Sequence, residues 1–172
     1  MASSVQGGYF PVYPVQDLLP DPEIRTFITN FYRISDKPDS NELWVSHFTE
    51  DAQVTMGNDT GRGQQGEQRR RHFSLDRKEQ RSWRESVSIR ELREKMWTVV
   101  AERKHTVNKV FPARFQDEDG ECECMLFGDV HLKTKEGQEL VVPWAGHATL
   151  AKAVDGPKEE WKFSQYRVWL QR

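Results

Sequence analysis

Residues 121–170 read ECECMLFGDVHLKTKEGQELVVPWAGHATLAKAVDGPKEEWKFSQYRVWL, and this stretch decides the fold. Polar and apolar residues alternate through most of it, which is the period of a half-buried strand. The alternation is broken at Glu136-Gly137 and Asp155-Gly156, and Asp119-Gly120 precedes it. Such pairs supply the positive φ that hairpin turns need. With the run at 105–115, four strands result, over 105–115, 121–134, 138–153 and 160–171, joined as a meander. Within 121–133 one side is Cys122, Cys124, Leu126, Gly128, Val130 and Leu132, and the other holds Met125, Phe127, Asp129 and His131. Within 140–151 one side is Leu140, Val142, Trp144, Gly146, Ala148 and Leu150, against Val141, Pro143, Ala145, His147 and Thr149. Both faces are partly apolar, so one is expected to meet helices and the other a second copy of the chain, as a homodimer.

Upstream, the pattern changes to helical. Asp21-Pro22-Glu23 followed by Ile24, Phe27, Ile28, Phe31 and Ile34 places an N-cap, a proline at the first helical position and one apolar stripe. That helix is expected to end before Pro38. A short helix from Asp39 or Ser40 carries Leu43, Trp44 and Phe48, and a strand follows over 51–56. Ser88-Ile89-Arg90-Glu91 has capping-box spacing and opens a third helix expected to reach about Glu102. Helices segregated ahead of an antiparallel sheet specify an α+β domain. Residues 1–20, rich in Gly and Pro with scattered aromatics, read as an extended arm, and residues 21–172 as one domain.

A chain of 172 residues with six Trp has enough apolar bulk for one core. Its net charge of −2 exerts no pull toward nucleic acid or anionic membrane. Residues 62–86, with eight Arg or Lys against four Asp or Glu, are locally +4, so the rest of the chain is acidic. Almost no aliphatics occur there, and Phe73 and Trp83 are its ring platforms, so a solvated polar insert is favoured over an Arg-rich nucleic-acid contact. No apolar run reaches about 20 residues, as a membrane helix requires. Cys122 and Cys124 form neither a disulfide framework nor a four-ligand zinc pattern, which points to a reducing, cytoplasmic setting and no metal. Phosphate loops, zinc helices, nucleophile elbows and dinucleotide fingerprints are all missing, so the expected chemistry is cofactor-free.

The order of elements, with SIRELREKMW at 88–97, RKHTVNKVFPARF at 103–115 and WKFSQYRVWL at 161–170, resembles the SnoaL-like branch of the nuclear transport factor 2-like superfamily. The resemblance spans residues 21–171 and implies a cone: a curved antiparallel sheet with three N-terminal helices on its concave face, a cystatin-like α+β roll. Relatives include scytalone dehydratase, polyketide cyclases, isomerases and assembly factors without catalysis. His105 resembles a pocket histidine of the dehydratase, and Asp36 its neighbouring aspartate. His147 falls where that enzyme has a polar pocket residue, while Ser35 and Met56 stand where it has two tyrosines. Members usually lack an insert such as 62–86.

Reactions common on this fold need a base poised near neutral pH beside a donor to a developing oxyanion. His105, His147 and Asp129 are the candidates for that work, against structural readings as a locally bonded histidine or an outward strand charge. His131 shares the strand face of Asp129. Tyr32, Asp36, Trp44, Met56, Trp97, Phe111, Trp144 and Tyr166 are candidates for the wall of a pocket for a small apolar molecule. A cofactor-free lyase, isomerase or cyclase acting on a polyketide-like or terpenoid-like compound is one expectation. A non-catalytic ligand-binding or assembly module is the other.

Overall fold

The computed structural model describes residues 8–16, 19–64, 87–113, 121–155 and 158–171. Helix α1 spans Glu23–Ser35 and α2 spans Asn41–Val45, followed by strands β1 (Phe48–Met56) and β2 (Asp59–Arg62). Helix α3 (Ile89–Met96) precedes β3 (Val100–Ala113), β4 (Cys122–Thr134), β5 (Glu139–Asp155) and β6 (Lys158–Leu170). The six strands lie in the order β2-β1-β6-β5-β4-β3. The expected meander is β3 to β6, antiparallel throughout, and β1 joins its β6 edge in parallel. This is an α+β fold built on one curved, unclosed sheet with helices on the inner side.

Local chemistry explains the helix ends. The N-cap of α1 is Pro22, one residue later than expected and without a side-chain cap bond, while Asp21 Oδ1 accepts the Glu23 N–H at 2.9 Å from the position before it. Ser88 and Glu91 close the expected capping box on α3. That helix stops at Met96, short of Glu102, because Thr98, Val99 and Val100 form a β-branched run better suited to a strand. Gly137 turns β4 into β5 at φ 87°, while the other two hairpin turns fall outside the described residues. Most of the 62–86 insert also lies outside them, and Arg62 ends β2.

One aromatic hub joins helix to sheet. Phe31 of α1 meets Phe163 edge-on at 4.8 Å, Tyr166 at 5.3 Å and Phe48 at 5.7 Å. Cys122 and Cys124 share the inner face of β4, buried, with Sγ atoms in hydrogen-bond contact at 4.0 Å and no disulfide between them. Residues 8–12 run along β3, where Val12 N–H donates to Asn108 O and Val110 N–H to Val12 O, both at 3.0 Å.

A β-bulge in β3 decides which side chains face inward. Register shifts between Val107 and Lys109, so Arg103, His105 and Val107 point in on odd numbers and Val110 and Pro112 on even ones. Opposite the bulge stands Gly128, where a Cβ would come within 1.9 Å of the Thr106 carbonyl oxygen. Only glycine admits that approach.

Candidate functional site

Between the helices and the inner face of the sheet lies a cavity of about 390 Å³, with Tyr32, Trp44, Met56, Arg103, His105, Trp144 and Tyr166 in its wall. Its chemistry starts at the end of α1. A helix C-terminus leaves carbonyls without intrahelical partners, and its dipole favours cations there. Two arginines meet that need. Arg93 of α3, fully buried, donates Nη1–H to Ser35 O at 2.9 Å and Nη2–H to Lys37 O at 2.7 Å. Arg103 of β3 donates to Ser35 O from Nη2, and its ring-facing side covers Trp97 at 4.6 Å. The clamped helix end presents Asp36, the C-cap residue, to the start of β3.

Asp36 Oδ1 lies 2.5 Å from His105 Nδ1, while Oδ2 accepts the His105 backbone N–H at 2.8 Å and the Tyr9 hydroxyl at 2.9 Å. Both side chains are nearly enclosed, with 6% of Asp36 and 15% of His105 exposed. Burial alone pushes the Asp36 carboxyl up, but the bonds and charge of His105 and the Tyr9 hydroxyl outweigh it, and the net shift is downward. Asp36 is therefore ionised and accepts only, which requires the proton on His105 Nδ1. Burial holds the imidazole below its ordinary value against the opposing bond to Asp36, so at neutral pH His105 is uncharged with a basic Nε2.

Two tyrosines stand beside this pair. The hydroxyls of Tyr32 and Tyr166 are 3.0 Å apart, and the Tyr32 ring lies 5.3 Å from His105 and stacks on Trp144. Two hydroxyls sharing one hydrogen bond leave one proton to donate elsewhere. Burial pushes the Tyr166 phenol up to about 12, so it stays protonated.

No protein-family model matches the sequence, and no curated protein matches it significantly. Solved structures do. A proposed scytalone dehydratase from Novosphingobium aromaticivorans aligns at TM-score 0.61 and 13% identity, over 87% of this chain and 82% of that one. Nuclear transport factor 2 from Cryptosporidium parvum aligns at 0.59 and 11%, over 90% and 98%. A hexachlorocyclohexane dehydrochlorinase aligns at 0.57 and 15%, over 87% and 86%. The chain has the nuclear transport factor 2-like fold.

Within this nuclear transport factor 2-like cone, Tyr32, Trp44, Met56, His105, Trp144 and Tyr166 share one cavity, and Asp36 reaches it through His105. Three other candidates lie on the opposite face of the sheet. His147 is bonded through Nε2 to Glu123 at 2.6 Å, and Asp129 accepts from the bulge residue Asn108 at 3.1 Å. Strand alternation puts both outside, since Trp144, Gly146 and Ala148 take the inner side of β5. Phe111 is corrected as well: the bulge turns it outward, where it stacks on Phe127 at 5.5 Å. His131 is exposed. Trp97 sits behind the cavity between Arg93 and Arg103, at 5.1 and 4.6 Å from their guanidinium carbons.

Arg93 and Arg103 were not among the candidates. Arg103 had a signal, because it precedes His105 by two on the same strand face. Arg93 had none beyond a charge at an apolar helical position between Leu92 and Met96. Among the described residues, no cluster of three or more His, Cys, Asp or Glu could hold a metal. No helix there is long and apolar enough to cross a membrane.

Proposed function

We propose that this cavity binds a small, largely apolar carbonyl compound and that His105 and Asp36 move a proton on it, making the protein a cofactor-free lyase, isomerase or cyclase. The observation that carries this reading is the 2.5 Å contact between Asp36 and a buried His105 that lines the cavity. His105 Nε2 takes a proton from the carbon next to the carbonyl, and the electron pair left behind forms an enolate. Asp36 stabilises the resulting imidazolium, and the Tyr32–Tyr166 pair donates to the enolate oxygen. Where a hydroxyl sits one carbon further, the enolate expels it, and the imidazolium proton leaves with it as water. The names of two structural neighbours, a dehydratase and a dehydrochlorinase, support an elimination of this kind. A polyketide-like or terpenoid-like ring system suits a cavity of this size and lining.

The test uses 1-tetralone in D₂O, with NMR following loss of the α-proton signals, and 3-hydroxy-1-tetralone, whose dehydration gives fluorescent 1-naphthol. Acceleration over buffer is expected, falling by about 10²-fold or more in His105→Gln. Equal rates for wild type and variant, or no acceleration at all, would overturn the reading. Saturable binding without turnover would support the non-catalytic module instead.

We further infer a homodimer formed through the outer face of the sheet, where Phe111, Met125, Phe127 and Trp169 cluster in the open. Two buried cysteines with no disulfide between them suit a reducing compartment such as the cytoplasm.

A further inference from the structure

Asp36 and His105 come from the end of α1 and from β3, yet a third segment reaches the pair. Residues 8–12 lie along β3 and carry Tyr9, whose hydroxyl donates to Asp36 Oδ2 at 2.9 Å. Docking of this segment does not depend on that hydroxyl. Val107 N–H donates to Gly8 O at 2.9 Å, Val12 bonds Asn108 and Val110 at 3.0 Å each, and Thr29 Oγ1 donates to Tyr9 O at 3.2 Å. The Tyr9 ring is held separately, with Lys104 Nζ 3.9 Å and the Arg33 guanidinium carbon 5.9 Å from its centroid. A phenylalanine would satisfy every one of these contacts.

What the hydroxyl alone supplies is a further donor to Asp36. Oδ1 faces the ring nitrogen Nδ1 at 2.5 Å, and Oδ2 takes the His105 backbone N–H at 2.8 Å together with Tyr9. The terminal torsion of an aspartate is soft, so donors on both oxygens are what fix its plane. Burial holds the Tyr9 phenol above its ordinary value, so it remains a donor at neutral pH.

We propose that Tyr9 is a positioning residue of this site: its hydroxyl holds the Asp36 carboxylate against His105, and the N-terminal arm thereby completes the pair. This role rests on the reading of proton transfer at His105 and extends it to a segment outside the helices and the sheet. By sharing the carboxylate's charge, the hydroxyl also limits how strongly Asp36 favours a proton on Nε2, which leaves that nitrogen free as a base. The other charged or titratable groups around the pair are Arg103 and Lys104 of β3, Arg93 of α3, Arg33 and Tyr32 of α1, and Tyr166 of β6. From β4 and β5 the neighbours are Val130 and Trp144, which do not titrate. Tyr9→Phe leaves all of them in place.

The test follows the His105 ring by ¹⁵N NMR of the full chain from pH 5 to 8, its signals assigned by their loss in His105→Gln. In Tyr9→Phe the titration midpoint of His105 should rise by about half a unit, because a carboxylate with one donor fewer stabilises the imidazolium better. Exchange of 1-tetralone in D₂O should show kcat reduced about tenfold and KM within about twofold, since a misaligned base leaves binding intact. The acid limb of kcat should move up with the midpoint. Tyr9→Leu, which loses the ring as well, should shift the midpoint as far as Tyr9→Phe does. An unmoved midpoint in Tyr9→Phe overturns the role of Tyr9 whatever the rate does, and so does a midpoint that moves only in Tyr9→Leu. A wild type that fails to exchange 1-tetralone would instead overturn proton transfer at His105, with the midpoint still reporting whether Tyr9 holds the pair.

Discussion

His105 shows how one side chain ties stability to chemistry. Burial depresses its pKa, so the folded protein favours the neutral ring while the unfolded chain takes up a proton near the ordinary value of about 6.5. The unfolded state then binds more protons within the window between the depressed value and about 6.5. The contribution is therefore full above that window and is lost as pH falls through it. His47, also depressed by burial against the opposing Leu43 carbonyl at 2.6 Å, acts in the same direction. Asp36 acts lower down: its net shift is downward, so the stability it lends is present above the ordinary carboxylate range and disappears below it. Urea midpoints measured from pH 7.5 to 5 should fall for the wild type, fall less steeply for His105→Gln, and least for His105→Gln combined with His47→Gln. Parallel slopes for all three would show that neither histidine is held neutral by the fold.

At the scale of elements, the β3 bulge explains both what the sequence disclosed and what it concealed. Helix starts were legible because the bonds that mark them are local: Asp21 and the Ser88–Glu91 box each bond within three residues. Strand faces were legible on β4 and β5, where alternation runs unbroken and brings Trp144 inward and Asp129 outward. On β3 one extra residue reverses the phase, so Phe111 left the pocket while His105, before the bulge, stayed in it. The parallel pairing of β1 with β6 and the meeting of Asp36 with His105 across 69 positions are long-range, and no local pattern encodes them. Resemblance, not periodicity, brought Asp36 forward. Gly128 is the legible trace of the bulge, as a glycine inside an otherwise regular strand marks close backbone approach. Gly128→Ala forces its Cβ onto the Thr106 carbonyl and should cost about 3 kcal/mol in urea unfolding, with loss of near-ultraviolet tryptophan signal. A change under about 1 kcal/mol would mean that the bulge relaxes easily and does not fix the face His105 presents.

Across the whole molecule, the two faces of one sheet are divided between two tasks. The inner face, on the side of the three helices, holds the Asp36–His105 pair proposed for proton transfer and the Tyr32–Tyr166 pair. Among the described residues nothing covers the outer face, and Phe111, Met125, Phe127 and Trp169 stand there 38–43% exposed, with Phe111 and Phe127 stacked. Soluble chains rarely leave aromatic clusters of this kind in water. The proposed homodimer would suit this patch, which also carries opposite charges, Glu123 paired with His147 and Arg167 adjacent, that a two-fold axis can bring into register. Sedimentation at micromolar concentration should give about twice the chain mass of 20.2 kDa, and Phe127→Glu should give the single mass with an unchanged circular dichroism spectrum. Since strand alternation separates this patch from the cavity, the variant should still exchange the protons of 1-tetralone. A monomeric wild type would remove the dimer, and a monomeric Phe127→Glu that loses exchange would mean that pairing of the outer faces also holds the cavity in shape.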